Sequence, residues 1–261
     1  HNYQSQRMEF PAGARYRGAV PSASNPSWCN VVIGWQNFLA PWTVAVLPYL
    51  EHTALHERFD LESSFMDNQF AVPLPNGASG NMVPIPTFQC ASSRSTNPLR
   101  NNYFGVQGGG NTPSCADDTG VRHHYINGVL YANSRITPAH VRDGTSNVLL
   151  IGETRWCTFS DGYGNTPSGG QVFTWLISGK IGRDAIPLQV AGVNLPLNAD
   201  VPPDGWRILD YGSRGFGSDH PGGATFGRAD GSVHFVSDSV SHSTLQNMAQ
   251  RSDGSIDQVL P

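Results

Sequence analysis

The stretch "SDHPGGATFGRADGSVHFVSDSV", residues 218–240, constrains the fold more than any other part of the chain. Alternating apolar residues on both sides of Asp230-Gly231 form the pattern of two antiparallel strands joined by a tight turn. Read as a two-residue turn, Asp230-Gly231 sets a register that pairs Phe226 with Phe235, Gly227 with His234 and Thr225 with Val236. Phe226 and Phe235 then stack across the strands on one face, and Gly227 leaves room above the His234 ring. His220 precedes Pro221-Gly222-Gly223, and at about 3.3 Å per residue an extended path carries it well away from the turn. No His–Asp catalytic pair is expected. Asp230 and Gly231 are read as turn formers, and His220 as a hydrogen-bonding anchor where the chain enters the hairpin.

The rest of the composition agrees with a strand- and turn-rich globular protein. Only 14% of residues are charged, while 29 glycines and 19 prolines supply turns. A hydrophobic content of 38% is enough to offset the entropy of ordering, which excludes a disordered chain. The 261 residues are read as a single domain, 1–261. A formal charge of -4 with no cluster of Lys and Arg excludes a nucleic-acid surface. No apolar run reaches the length of a membrane span.

Along the chain, residues 1–30 read as a polar, extended lead-in. "PYLEHTALHERF" carries Leu50, Ala54, Leu55 and Phe59 at helical spacing after Pro48, which predicts an amphipathic helix over 48–59. Residues 71–120 read as loop. "TPAHVRDG" predicts a short helix with Thr137 as N-cap and Gly144 as stop, leading into a buried strand at "NVLLIGE". "QVFTWLISG" predicts a further strand, and residues 181–217 give no clear assignment. Ser243 with Gln246 resembles a capping box that opens "TLQNMAQR". The order is that of an α+β fold with an antiparallel sheet, a C-terminal hairpin and a short terminal helix.

Several residue groups are weighed as sites. Cys29, Cys90, Cys115 and Cys157 contain no C-x-x-C pair, so a zinc site has little support, and up to two disulfides in any of three pairings are open. Asp117 and Asp118 beside His123-His124, Asp161 with Asn165, and Asp253 with Asp257 are candidate calcium loops, though none has the spacing of an EF-hand. His123 and His124, if extended, point to opposite faces and do not share an ion. Glu51, His52 and His56 lack the H-E-x-x-H order of a metalloprotease helix and read as an exposed polar face. Neither a P-loop lysine nor a G-x-S-x-G elbow is present. Most aromatic residues are assigned to the core, with Trp156, Tyr163 and Trp206 in loops as candidate ligand contacts.

His220, nine residues and then Asp230-Gly231-Ser232 resemble the signature of the prepilin-type processing-associated proteins named for an H-x(9)-DG motif, a mostly uncharacterised family expanded in planctomycetes. "HNYQSQRMEFPAG", "VLPYLEHTALHERFD", "FQCASS", "NNYFGV" and "RDGTSNVLLIGE" follow in that family's order, so the resemblance covers nearly the whole chain. It implies a pilin-like, β-rich extracytoplasmic head. Family members carry a leader and a hydrophobic helix upstream of the part that matches His1, and membrane attachment would come only through such a helix. The expected role is structural: assembly with itself or with other pilin-like subunits at the cell surface or in a secreted filament. A carbohydrate- or small-ligand-binding module is the alternative, and a hydrolase is the weakest reading. The resemblance brings no catalytic residues. No cofactor is expected other than calcium in one of the acidic loops.

Overall fold

In a computed structural model of the chain, the described residues are 2–18, 37–65, 83–94, 100–116, 123–155, 175–176, 178, 189–199 and 215–255. The C-terminal hairpin consists of β8 (Gly223–Arg228) and β9 (Val233–Ser237). β8 lies against β6 (Leu149–Glu153), β6 against β3 (Tyr103–Gly109), and β3 against β7 (Val190–Val193). The sheet order is β7-β3-β6-β8-β9, and every neighbouring pair is antiparallel except β3 with β7, which is parallel. An α+β fold with a largely antiparallel sheet is therefore what the chain adopts.

The hairpin register differs by one residue from the two-residue-turn expectation. Phe226 pairs with His234, Thr225 with Phe235 and Gly227 with Val233. The cause lies in the turn. Gly231 N–H donates to the Arg228 carbonyl and Arg228 N–H to the Ser232 carbonyl, so the loop contains three residues, Ala229, Asp230 and Gly231. Gly231 sits at φ +89°, the left-handed position that such a loop requires. Because side chains alternate, the shift puts Phe226 and Phe235 on opposite faces, and they do not stack. Phe226 is fully buried and Phe235 is 52% exposed.

The face that carries Phe226 forms one core. Phe104, Val106, Ala224 and Val236 join it there, and Leu245 and Met248 of the helix α4 (His242–Met248) cover them. At Gly152 a Cβ would come within 2.4 Å of the Phe226 ring, so only glycine leaves room for this ring over the sheet. α4 opens at Ser241, whose hydroxyl accepts from Thr244 N–H; the cap is this serine and not Ser243.

The other face is covered by a second, aromatic cluster that includes Trp42, Phe88, Trp175 and Val190. The polar ends of the two indoles are satisfied, Trp42 Nε1 by the Gln189 carbonyl at 2.7 Å and Trp175 Nε1 by the Val83 carbonyl at 2.9 Å. These two tryptophans are core residues, as expected.

Several local elements differ from the sequence reading. The lead-in is not extended throughout: it holds α1 (Asn2–Arg7) and β1 (Ala14–Tyr16), which pairs with β2 (Phe38–Pro41). The predicted helix over 48–59 is broken. After the short helix α2 (Trp42–Ala45), the 3₁₀ turn Leu47–Leu50 ends at Glu51, which is left-handed at φ 64°, and a single α-turn, α3 (Thr53–His56), follows. The expected loop over 71–120 contains β3, one of the interior strands of the sheet. Of the expected strand at "QVFTWLISG", Trp175 and Leu176 lie in a turn and Ser178, the other described residue, is in no strand. "TPAHVRDG" does turn as a short 3₁₀ helix, with Thr137 and His140 capping each other.

Candidate functional site

The hairpin lead-in, the end of β6 and the loop after Phe88 meet at one point. Glu153, the last residue of β6, is 3% exposed. Its Oε2 accepts the Thr225 backbone N–H at 2.6 Å, which fixes the carboxylate and turns Oε1 toward His220. His220 Nε2 lies 3.4 Å from that Oε1 and 3.3 Å from Cys90 Sγ. The three ligand-type atoms all fall within 4.8 Å of one another.

Each of the three residues is held by its own polar frame. Buried Asn102 organises the Cys90 loop: its Oδ1 accepts Cys90 N–H at 3.0 Å and Arg100 Nε at 3.1 Å. Its Nδ2 donates to the Thr154 carbonyl at 3.3 Å, tying the loop to the end of β6. On the opposite side Asp219 accepts both the backbone N–H and the guanidinium of Arg94. The Ser218 hydroxyl accepts His220 N–H and donates to the Gly223 carbonyl, which sets the bend that aims the imidazole inward.

The electrostatics of the cluster follow from burial and charge. Burial raises the Cys90 thiol above its ordinary range, and the nearby Glu153 carboxylate raises it further. Tyr103, opposite Glu153 on β3, is pushed up to about 12, first by burial and then by the charges of Glu153 and Cys90. The neutral thiol and neutral phenol are therefore the resting forms.

The family comparison agrees with the signature read at the hairpin. The model of a family described as "Protein of unknown function (DUF1559)" matches residues 1–243. The chain belongs to this family. DUF1559 is the family to which the H-x(9)-DG signature points. No curated protein and no solved structure matches the chain. The two ends of that signature do different work in this DUF1559 chain. Asp230 closes its own turn, accepting Ser232 N–H at 2.9 Å and the Ser232 hydroxyl at 2.7 Å. His220 instead reaches Glu153 and Cys90.

Other expected sites fare differently. Cys90 is a free thiol and forms no bridge, because its sulfur faces His220. Among the described residues no two sulfurs pair; Cys115 is buried and disulfide-bonded, and Cys29 and Cys157 lie outside the described residues. Asp117, Asp118, Asp161, Asn165, Asp257, Trp156, Tyr163 and Trp206 also lie outside them. His123 and His124 are paired in the short strand β5 (His123–His124) with β4 (Cys115–Ala116), so the two rings leave by opposite faces. Asp253 is set against Asp143, whose two carboxylate oxygens already accept the N–H groups of Asp253 and Gly254. Glu153 is the residue that sequence reasoning missed. A carboxylate ending an otherwise apolar run was its only local sign.

Proposed function

We propose that the chain is the extracytoplasmic head of a pilin-like surface protein, and that it joins further copies or other pilin-like subunits through the free edge of its sheet. DUF1559 membership and the α+β fold support a pilin-like structural protein in general. The observation that carries the assembly role is strand β9. Among the described residues it pairs with β8 alone, and Val233 and Phe235 are exposed at 68% and 52%. An edge strand with exposed apolar side chains is a template for pairing, and proteins that remain monomeric cover or charge such edges. Light scattering of the full chain over a range of concentrations tests this. Self-association that disappears in a Val233→Ser, Phe235→Ser double variant supports the reading. A chain that stays monomeric at its solubility limit, alone and with other pilin-like subunits, overturns it.

A second reading, a small-ligand module, rests on a groove of about 570 Å³ on the aromatic face, lined by Tyr3, Trp42, Tyr49, Phe88 and Tyr103 among others. Flat apolar rings at its wall suit the faces of a sugar. Saturable quenching of tryptophan fluorescence by soluble oligosaccharides favours it, and no response across a chemically varied panel removes it.

A further inference from the structure

Cys90, Glu153 and His220 stand far apart in the chain, in "FQCASS", "NVLLIGE" and "SDHPGG", yet their side chains converge on one point. The arrangement is not that of a nucleophile relay. In a Cys–His–acid relay the thiol sits at one ring nitrogen and the acid at the other, so a proton passes along the ring. Here the sulfur and the carboxylate oxygen both face Nε2, at 3.3 and 3.4 Å. One ring nitrogen offers a single hydrogen or a single lone pair, so it cannot serve both partners in line. Three donor atoms aimed at a common centre are the geometry of a coordination site.

We propose that Cys90 Sγ, Glu153 Oε1 and His220 Nε2 bind one divalent transition ion of the zinc class, with a fourth position open on the His220 side. Zinc bond lengths at a tetrahedral angle place sulfur and nitrogen ligands about 3.5 Å apart and nitrogen and oxygen ligands about 3.3 Å apart. The observed 3.3 and 3.4 Å need only small adjustment. A soft thiolate, an imidazole and a carboxylate form a donor set that zinc accepts and that calcium or magnesium does not favour. The supporting shell is already built: Thr225 N–H fixes the carboxylate, Asn102 fixes the Cys90 loop and Ser218 fixes the backbone at His220. The His220 side chain is 34% exposed while that of Glu153 is 4% exposed, so an ion enters beside the imidazole. On binding, the Cys90 S–H bond is exchanged for an S–metal bond and the proton leaves to solvent. The ion then clips the loop after Phe88 to the sheet and to the hairpin lead-in.

Cobalt(II) serves as the spectroscopic probe and zinc as the competitor, with the full chain stripped by chelator. The expected result is one cobalt per chain with a thiolate-to-cobalt charge-transfer band, displacement of that band by zinc, and zinc protection of the Cys90 thiol from alkylation. Cys90→Ser abolishes the band, and His220→Gln, at a partly exposed position, weakens binding at least about tenfold. His123→Ala leaves binding unchanged. A stripped chain that shows no charge-transfer band, or zinc affinity that survives in both Cys90→Ser and His220→Gln, overturns the site. Circular dichroism of each variant separates loss of a ligand from loss of the fold.

Discussion

Phe226 lies opposite His234 across the C-terminal hairpin, and Phe235 consequently emerges on the other face, half exposed. The two phenylalanines, nine positions apart in one motif, therefore make unequal contributions. Phe226→Ala opens a cavity between the sheet and Phe216 and costs about 3–5 kcal/mol, whereas Phe235→Ala stays within roughly 0.5 kcal/mol. Urea denaturation of the two variants measures the difference. Equal losses would show that the register is the one with the two rings paired.

The three-residue loop makes Gly231 the conformationally demanding position. With φ at +89°, Gly231→Ala forces a Cβ into the left-handed region and costs about 1–2 kcal/mol. Asp230→Ala removes the side-chain acceptor of Ser232 and costs about 0.5–1.5 kcal/mol. A tight two-residue turn would reverse neither sign but would make Asp230 a left-handed residue too. Asp230→Gly then becomes the discriminating variant: it destabilises the three-residue loop, and it would be tolerated in the other.

Acid sensitivity is expected at the start of α4. His242 is the first residue of that helix, and burial lowers its pKa below the ordinary 6.5, opposed by a hydrogen bond to the Val193 backbone. Its Nε2 is buried with no hydrogen-bond partner, so protonation there adds a donor without an acceptor, at the positive end of a helix dipole. A histidine whose folded pKa is depressed binds its proton more readily in the unfolded chain. Stability is then fully present above about pH 6.5 and is lost as the pH falls through the folded value. His56, also lowered by burial, acts in the same direction. Thermal denaturation between pH 7 and pH 5, roughly the window in which histidine titrates, checks this. A His242→Gln profile as steep as that of the parent chain would remove His242 as a cause.

Asn102 is predicted to matter more than its distance from any exposed surface suggests. Asn102→Ala leaves Cys90 N–H and the Thr154 carbonyl without their side-chain partner and costs about 2–4 kcal/mol. It also loosens the loop that shields the thiol, so alkylation of Cys90 at fixed pH speeds up in the metal-free chain. Mass spectrometry of the modified peptide reads the rate at Cys90 itself. An unchanged rate would mean that Arg94 and Asp219 suffice to hold the loop.

Much of the local structure was legible along the chain. The Asp-Gly turn placed the hairpin, the apolar run at 148–152 marked β6, and Thr137-Pro138 marked a short 3₁₀ helix, which ends at His140 and not at the expected stop Gly144. β3 was hidden because its glycines dilute the apolar pattern. They are there for packing: a Cβ at Gly105 would come within 2.9 Å of Leu130. The predicted helix over 48–59 failed at Glu51, whose left-handed backbone at φ 64° interrupts a sequence with good helical spacing. The cysteines suggested disulfides and not a metal, since C-x-x-C spacing is visible in sequence while a ligand set from three distant segments is not.

By itself the amino-acid order determined where turns fall, which runs can be strands, and which family the chain belongs to, because these depend on a few neighbouring residues and their backbone preferences. Only the tertiary structure decided the one-residue register of the hairpin, the parallel pairing of β7 on β3, and the meeting of Cys90, Glu153 and His220. Those outcomes depend on which faces are buried together, and burial couples residues 130 positions apart that no local pattern connects.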